Sequence, residues 1–220
     1  MARIKVAALI PAAGEGTRLG RGPKALVAVA GETLLKRAIK AFVGSADETL
    51  VAVPPSFSGE AGLELPAGVR LVPGGDTRQK SVYNLLRATD ADIVLIHDAA
   101  RPFLARTVIE HVVAAVRAHG AASVVTHVAD TLIEADSGRT VDRRLLRAVQ
   151  TPQGFRREVV LSAHERALQG GYAATDDADL VRAMGYGVAL VEGSSWLMKV
   201  TTPADLELAE ALATVWDAKC

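Results

Sequence analysis

The sequence predicts an α/β fold in three layers, with a mainly parallel, twisted sheet between helices on both faces. Three observations carry this. Short β-rich apolar runs alternate with segments of helical period along most of the chain, the signature of βαβ units. Several of those runs are apolar throughout rather than at every second residue, as strands buried on both faces must be. Two of them, "VAALI" and "VRLVP", run directly into glycine-containing turns, and in such sheets ligands gather at the carboxyl ends of the strands.

In order, "IKVAALIPA" is a buried first strand. "TLLKRAIKAFVG" is a helix. "ETLVAVP" and "VRLVPGG" are strands, "RQKSVYNLLRAT" a helix, "ADIVLIHDAA" a strand, "RTVIEHVVAAVRAHG" a helix and "ASVVTHVAD" a strand. The alternation breaks at "DTLIEADSGRTVDRRLLR", residues 130–147. There polar and apolar residues mix around the turn signal "DSG", which predicts a hairpin-like arm projecting from the domain. "RREVVLSAHERALQGG" and "DDADLVRAMGYG" are helices, and "VALVEG" and "WLMKVT" are strands. A last helix begins at "TPADLELAEAL", with Thr202 as N-cap, Pro203 at the first helical position and Asp205 in the first turn. With no repeat or low-complexity linker, the 220 residues are expected to form one domain, arm included.

Lys plus Arg equals Asp plus Glu at 25 each, which argues against a general nucleic-acid or anionic-membrane surface, so any cationic site must be local. The only cysteine is Cys220. That excludes a disulfide framework and a metal–thiolate set and points to a reducing, cytoplasmic home. Arg3, Lys5 and the run after them loosely imitate a signal peptide, but a buried first strand followed at once by a glycine-rich turn explains them. No run is long enough to span a bilayer.

The turn "PAAGEGTRLGRGPK" matches neither familiar phosphate loop. A Walker A loop fails because Leu19 stands five places after Gly14 and the nearby lysine follows Pro23. The dinucleotide fingerprint fails because Leu19 takes the third glycine position and no acid follows the second strand. What remains is a loop whose backbone can approach a phosphate at Gly14 and Gly16, with positive charge from Arg18 and Lys24. The glycines alone would equally serve a plain turn.

Companion motifs shift the balance. In "LIHDAARP" an apolar strand ends at Asp98, where a carboxylate can hold Mg²⁺ against nucleotide phosphates; a lone Asp there would otherwise be a turn acid. His97 reads as a packed neighbour rather than a general base, because phosphoryl chemistry here needs none. In "PGGDTRQKSV", Gly75 and Asp76 can meet the donor edge of a base, and the helix start near Ser81 offers N–H groups. Lys199 lies on the late segment "WLMKVT".

Together and in this order, "AAGEGTRLGRGPK", "GGDTRQKSV", "HDAARP", "DT", "VDR", "TPQGF", "TDDA" and "KVTTPADL" resemble the 2-C-methyl-D-erythritol 4-phosphate cytidylyltransferases. The resemblance implies a nucleotide-diphosphosugar-transferase-like fold that dimerises through the arm. It also implies transfer of CMP from CTP to 2-C-methyl-D-erythritol 4-phosphate in non-mevalonate isoprenoid synthesis, with Mg²⁺. By motif, Arg18 and Lys24 resemble the triphosphate-binding, transition-state-stabilising cations, Lys199 the residue steadying both reacting phosphates, and Asp98 the metal ligand. Ala13, Gly14 and Gly16 fall in the nucleotide loop, and Gly75, Asp76 and Ser81 where the family reads cytosine. Arg101, Thr131, Arg143 and Thr151 match positions lining the sugar-phosphate site, those on the arm reaching a partner's site. The chain departs from the pattern in a spacer between Arg18 and Lys24 one residue short, and in Ile133, where the family often has lysine. The alternatives are a cytidylyltransferase for another polyol phosphate such as ribitol 5-phosphate, and a nucleotide-binding regulator without turnover.

Overall fold

The first apolar run becomes an interior strand of the sheet, and its side chains divide between the two faces. In the computed structural model, which describes residues 3–14, 23–54 and 65–219, this strand is β1 (Val6–Pro11). Ala8 and Ile10 enter one core while Ala7 and Leu9 enter the other, so no polar position is tolerated along it. A small ribbon of β2 (Ala28–Val29) and β3 (Glu32–Thr33) follows, then α1 (Leu34–Phe42), β4 (Glu48–Val53), β5 (Val69–Pro73), α2 (Arg78–Arg87) and β6 (Ile93–Ile96). Next come α3 (Arg106–His119), β7 (Ala121–His127), the arm strands β8 (Leu132–Ile133) and β9 (Thr140–Val141), and β10 (Arg147–Arg156). The chain continues through α4 (Arg157–Gly170), α5 (Asp177–Ala183), β11 (Ala189–Glu192) and α6 (Pro203–Asp217).

The main sheet has the order β11-β7-β10-β6-β1-β4-β5, and only β10 runs antiparallel to its neighbours. Helices α1 and α3 cover one face, and α2, α4 and α5 the other, giving the three layers. The chain leaves β1 toward β4 and β5 and then returns to β6 on its other side. This reversal opens a crevice at the carboxyl ends of β1 and β6. A third, smaller core gathers Phe103, Val200 and Leu206 under α6, whose Thr202 and Asp205 form the expected capping box.

Two expectations needed correction. The sequence predicts no strand at 147–156, yet β10 lies in mid-sheet between β6 and β7. Its polar residues and Pro152 argue against a central strand, but its register shifts between Val149 and Gln153, where Pro152 needs no ladder bond. Gln153 is fully buried and satisfied, donating to Ser123 Oγ and accepting from the Ala178 amide. Gly154 is required by packing, because a Cβ there would lie 2.5 Å from a Val112 methyl of α3. The segment "WLMKVT", expected as a strand, is instead a 3-10 turn (Ser195–Leu197) followed by irregular chain. Its backbone bonds the loop after β6, with the Val200 amide donating to Ala100 O at 2.9 Å, rather than a strand of the sheet. The arm matches its expectation: β8 and β9 pair antiparallel around a turn closed by Gly138, at φ 68°, and the arm is exposed along most of its length.

Candidate active site

Three loops and one late segment meet at the crevice. After β1, the Ala12 amide donates to Ala52 O at 2.8 Å, which carries the chain on beside β4 until Ala13 and Gly14 turn over the crevice. Gly16 and Arg18 lie outside the described residues. The chain is described again at Pro23, where a 3-10 turn (Lys24–Leu26) is closed by the Leu26 amide on Pro23 O at 2.9 Å and sets Lys24 on the crevice wall.

After β5, the Gly74 amide donates to Val53 O at 2.7 Å, and a Cβ on Gly74 would fall 2.3 Å from that of Ala13. The two strand-end loops therefore touch here, and only glycine permits it. Ser81, 2% exposed, accepts from the Gly75 amide at 3.0 Å and donates to Thr77 O at 2.9 Å, holding the turn that presents Asp76 to the crevice. Ser81 is thus a brace for this turn.

After β6, the His97 amide donates to Leu9 O, so β6 follows β1 one residue further and delivers Asp98 to the crevice floor. Asp98 Oδ1 accepts from Arg78 Nε at 3.2 Å and Oδ2 from Lys199 Nζ at 2.6 Å. Burial alone would push this carboxyl up, but Arg78, then Lys199 and Arg101, hold it far below the usual carboxylate range. It is a fixed negative charge between two cations.

Beneath it lies a closed network. His97 is fully buried, and burial pushes its pKa down to about 4, so the imidazole is neutral at neutral pH. Its Nε2 faces Arg101 O at 3.0 Å, which assigns the proton there; Nδ1 then accepts from the Thr151 hydroxyl, whose oxygen takes the Asp98 amide at 3.1 Å. His97 is a packed neighbour rather than a base, as its sequence context indicated.

The structure brings Ala13, Gly14, Lys24, Gly75, Asp76, Ser81, Asp98 and Lys199 to one crevice. It places Thr151 below the floor, fixing the Asp98 backbone. It places Arg101 behind the wall, 9% exposed, with its guanidinium donating to Leu197 O and Val149 O, where it braces the turn that carries Lys199. Thr131 and Arg143 do not line the crevice; they sit on the exposed arm, where Arg143 donates to Ala129 O.

Sequence reasoning missed Arg78. It opens α2 directly after the N-cap Thr77, where the helix dipole disfavours a cation, and the first turn holds no acid to offset it. An unpaired arginine there was the available signal that a distant carboxylate must be waiting. Two are, Asp98 and the buried Asp177, whose Oδ2 lies 2.9 Å from Arg78 Nη1.

The chain matches the family model described as 2-C-methyl-D-erythritol 4-phosphate cytidylyltransferase over residues 6–215. A Deinococcus radiodurans protein of that name is 56% identical over 213 residues, covering 94% of this chain and 89% of that one. A Thermus thermophilus protein of the same name is 49% identical over 218 residues, covering 98% and 100% of the two chains. The Thermus thermophilus crystal structure superposes with a TM-score of 0.84 at 46% identity, over 96% of this chain and 100% of that one. A 4-diphosphocytidyl-2C-methyl-D-erythritol synthase from Anaerococcus prevotii superposes with a TM-score of 0.83 at 26% identity, over 96% and 99%.

Proposed function

The chain belongs to the 2-C-methyl-D-erythritol 4-phosphate cytidylyltransferase family, and from that premise we propose how its crevice divides the work. The reaction transfers CMP from CTP to 2-C-methyl-D-erythritol 4-phosphate, forming 4-diphosphocytidyl-2-C-methyl-D-erythritol and pyrophosphate for isoprenoid synthesis. Neither a cytidylyltransferase for ribitol 5-phosphate nor a silent regulator is favoured beside relatives this similar.

The 4-phosphate is already a nucleophile near neutral pH, since the second pKa of a phosphate monoester is about 6. One of its oxygens attacks the α-phosphorus as the bond to pyrophosphate breaks in line, and little proton transfer is required. That accords with the cations of the crevice and with His97, the histidine nearest to it among the described residues, lying neutral and sealed beneath the floor. The chain's part is to hold two mutually repelling anions together and to neutralise developing charge. Lys24 faces the triphosphate, a role that the family motif gives also to Arg18, outside the described residues, and Lys199 steadies the α-phosphate and the incoming phosphate. Gly75 and Asp76 present acceptors to the cytosine amino group. Thr151 and Arg101 act from behind, one fixing the Asp98 backbone and the other the turn that bears Lys199.

Asp98 fits the role of a Mg²⁺ ligand. It is ionised, it lines the crevice, and its bonds to Arg78 and Lys199 use one acceptor position on each oxygen and leave others unused. Among the described residues no cluster of three or more His, Cys, Asp or Glu offers a full protein cage. The other ligands would then be phosphate oxygens and water, the manner in which Mg²⁺ commonly binds nucleotides. When bound, the ion supplies positive charge and a template for the phosphate oxygens.

The observation that carries this reading is the convergence of Lys24, Lys199 and Asp98, from three distant parts of the chain, on one crevice at the switch of strand order. A substrate panel tests it: CTP or UTP with methylerythritol phosphate or ribitol phosphate, with pyrophosphate release as readout. CTP with methylerythritol phosphate is expected to dominate in kcat/KM. UTP should fail because acceptors facing a carbonyl leave buried groups unpaired. Equal use of CTP and UTP would remove Gly75 and Asp76 from base reading.

The arm supports a homodimer in which each site borrows Arg143 and Thr131 from the other subunit. Ile133 and Leu145 are 63% and 82% exposed, apolar groups that a second copy would cover. Lys24→Ala and Arg143→Ala are expected to complement when co-expressed. The purified heterodimer should show about half the wild-type activity, because both lesions fall in one site and leave the other whole. A heterodimer as inactive as its parents would place Arg143 in its own chain's site. The single cysteine and balanced charge support a cytoplasmic location.

A further inference from the structure

Behind the crevice runs a line of buried charge that the reaction described so far does not use. Arg78 reaches the crevice from the first turn of α2 with its side chain 34% exposed. At its rear lies Asp177, 1% exposed, and behind that His164 of α4, fully buried, with Nε2 3.0 Å from Asp177 Oδ1. Asp177 is ionised. Burial would push its carboxyl up, but Arg78 and the His164 bond hold it below the ordinary range, so Nε2–H is the donor.

This mount is tied down on two sides. The next amide, of Ala178, donates to the buried Gln153 of β10 at 3.0 Å. Beside Arg78, Gln79 donates to Tyr172 O and accepts from the Ala174 amide, joining α2 to the α4–α5 connection. Burying a carboxylate for stability alone gains little, since an apolar group of the same volume usually does as well. Asp177 does something an apolar group could not do: it pulls one end of a guanidinium backward and so fixes where the other end points.

The forward end is shared. Arg78 Nε rests on Asp98 Oδ1, the same carboxylate that holds Lys199. A guanidinium has five N–H donors, and the contacts to Asp98 and Asp177 leave some for an incoming oxygen. A phosphate arriving in the crevice competes with Asp98 for both cations. Without Asp177, Arg78 would be free to follow either anion; with it, Arg78 can only pivot.

We propose that Arg78 is a phosphate-binding residue of this active site. Asp177, gripped by His164, is the positioning residue that keeps its guanidinium aimed into the crevice when a substrate phosphate draws it from Asp98. The proposal rests on the cytidylyl-transfer reading. The phosphate can belong to CTP or to methylerythritol phosphate, and the test separates them.

Wild-type enzyme is first assayed for pyrophosphate release; absence of turnover there would overturn the underlying reading rather than this one. With turnover established, Arg78→Gln and Arg78→Lys are compared in kcat, KM and calorimetric affinity for each substrate alone. Both are expected to lose about tenfold or more in affinity for one substrate or in kcat, the worth of a charged hydrogen bond. Lysine should not rescue, because a point charge cannot span Asp98 and Asp177. The substrate whose affinity falls identifies the phosphate. Changes below about threefold in every parameter would overturn the assignment of Arg78.

The mount is tested by His164→Leu against His164→Gln, which keeps a donor near the Nε2 position. The leucine variant should lower kcat about three- to tenfold and the glutamine variant should recover most of it, the range of one supporting hydrogen bond. If both variants only lower Tm while the folded enzymes keep wild-type kcat and KM, Asp177 and His164 are merely structural and the positioning half falls. Should the leucine variant fail to fold, Asp177→Asn gives the same reading, and Arg78→Gln, at a partly exposed site, tests the rest.

Discussion

Lys24→Ala is expected to lower kcat by a factor on the order of 10² or more, the usual loss when one donor is removed from developing transition-state charge. Lys24 stands on the crevice wall at the start of a 3-10 turn whose closing bonds are all backbone. Truncating its side chain leaves those backbone bonds in place. The pyrophosphate leaving group gains charge as its bond to the α-phosphorus breaks, so a cation there is worth more in the transition state than in the ground state. Single-turnover kinetics at saturating CTP check this directly, and a rise in KM with unchanged kcat would contradict it. Lys24→Arg should not restore the rate, because a planar fork needs more room than a compact ammonium and presents its donors in fixed directions.

Asp98→Asn is expected to cost still more, on the order of 10²–10³ in kcat, since it removes one charge and displaces a cation that it held. The wild-type carboxylate accepts Arg78 on one oxygen and Lys199 on the other. An asparagine keeps one acceptor and turns an NH₂ toward the second cation, so either Lys199 or Arg78 meets a donor and must move. Because Asp98 is fully ionised at neutral pH, the amide does not imitate any working state of it. The variant should need markedly more Mg²⁺ for half-maximal rate, as loss of a metal's carboxylate ligand dictates. It should also be less stable, because Lys199 loses its carboxylate partner and Arg78 one of its two around a residue that is 9% exposed. A variant with wild-type Mg²⁺ dependence and rate would remove Asp98 from the reaction.

Much of the architecture was legible from the chain because the information is local. The runs of β1, β4 and β6 are apolar over most of their length, and that pattern has one physical solution, a strand buried on both faces. The capping box of α6 spans a few consecutive residues and could be read as such. The loops after β1, β5 and β6 were marked by glycine or by an acid at a strand end, and the parallel-sheet rule placed them together. β10 was not legible. Its buried Gln153 and Thr151 look like loop residues until their partners are known, and those partners, Ser123, Ala178, His97 and Asp98, lie on other elements. The irregular course of 198–201 was hidden for a related reason, since the backbone partner that holds it, Ala100, lies a hundred residues away in the loop after β6.

The layers, most of the strands, the loops where chemistry gathers and the family resemblance could all be read in one dimension. They follow from burial periodicity and from residue types at strand ends, which act over a few positions. Which charges meet was left to packing. Arg78 finds Asp98 twenty residues on and Asp177 far later, Lys199 finds Asp98 across about half the chain, and Arg101 turns from the crevice to hold the backbone that bears Lys199. An arginine beside a helix start, an aspartate in "TDDA" and a histidine in mid-helix carry no mutual signal along the chain. Their coupling is set by distances of about 3 Å that exist only after α2, α4 and α5 have packed on the same face of the sheet.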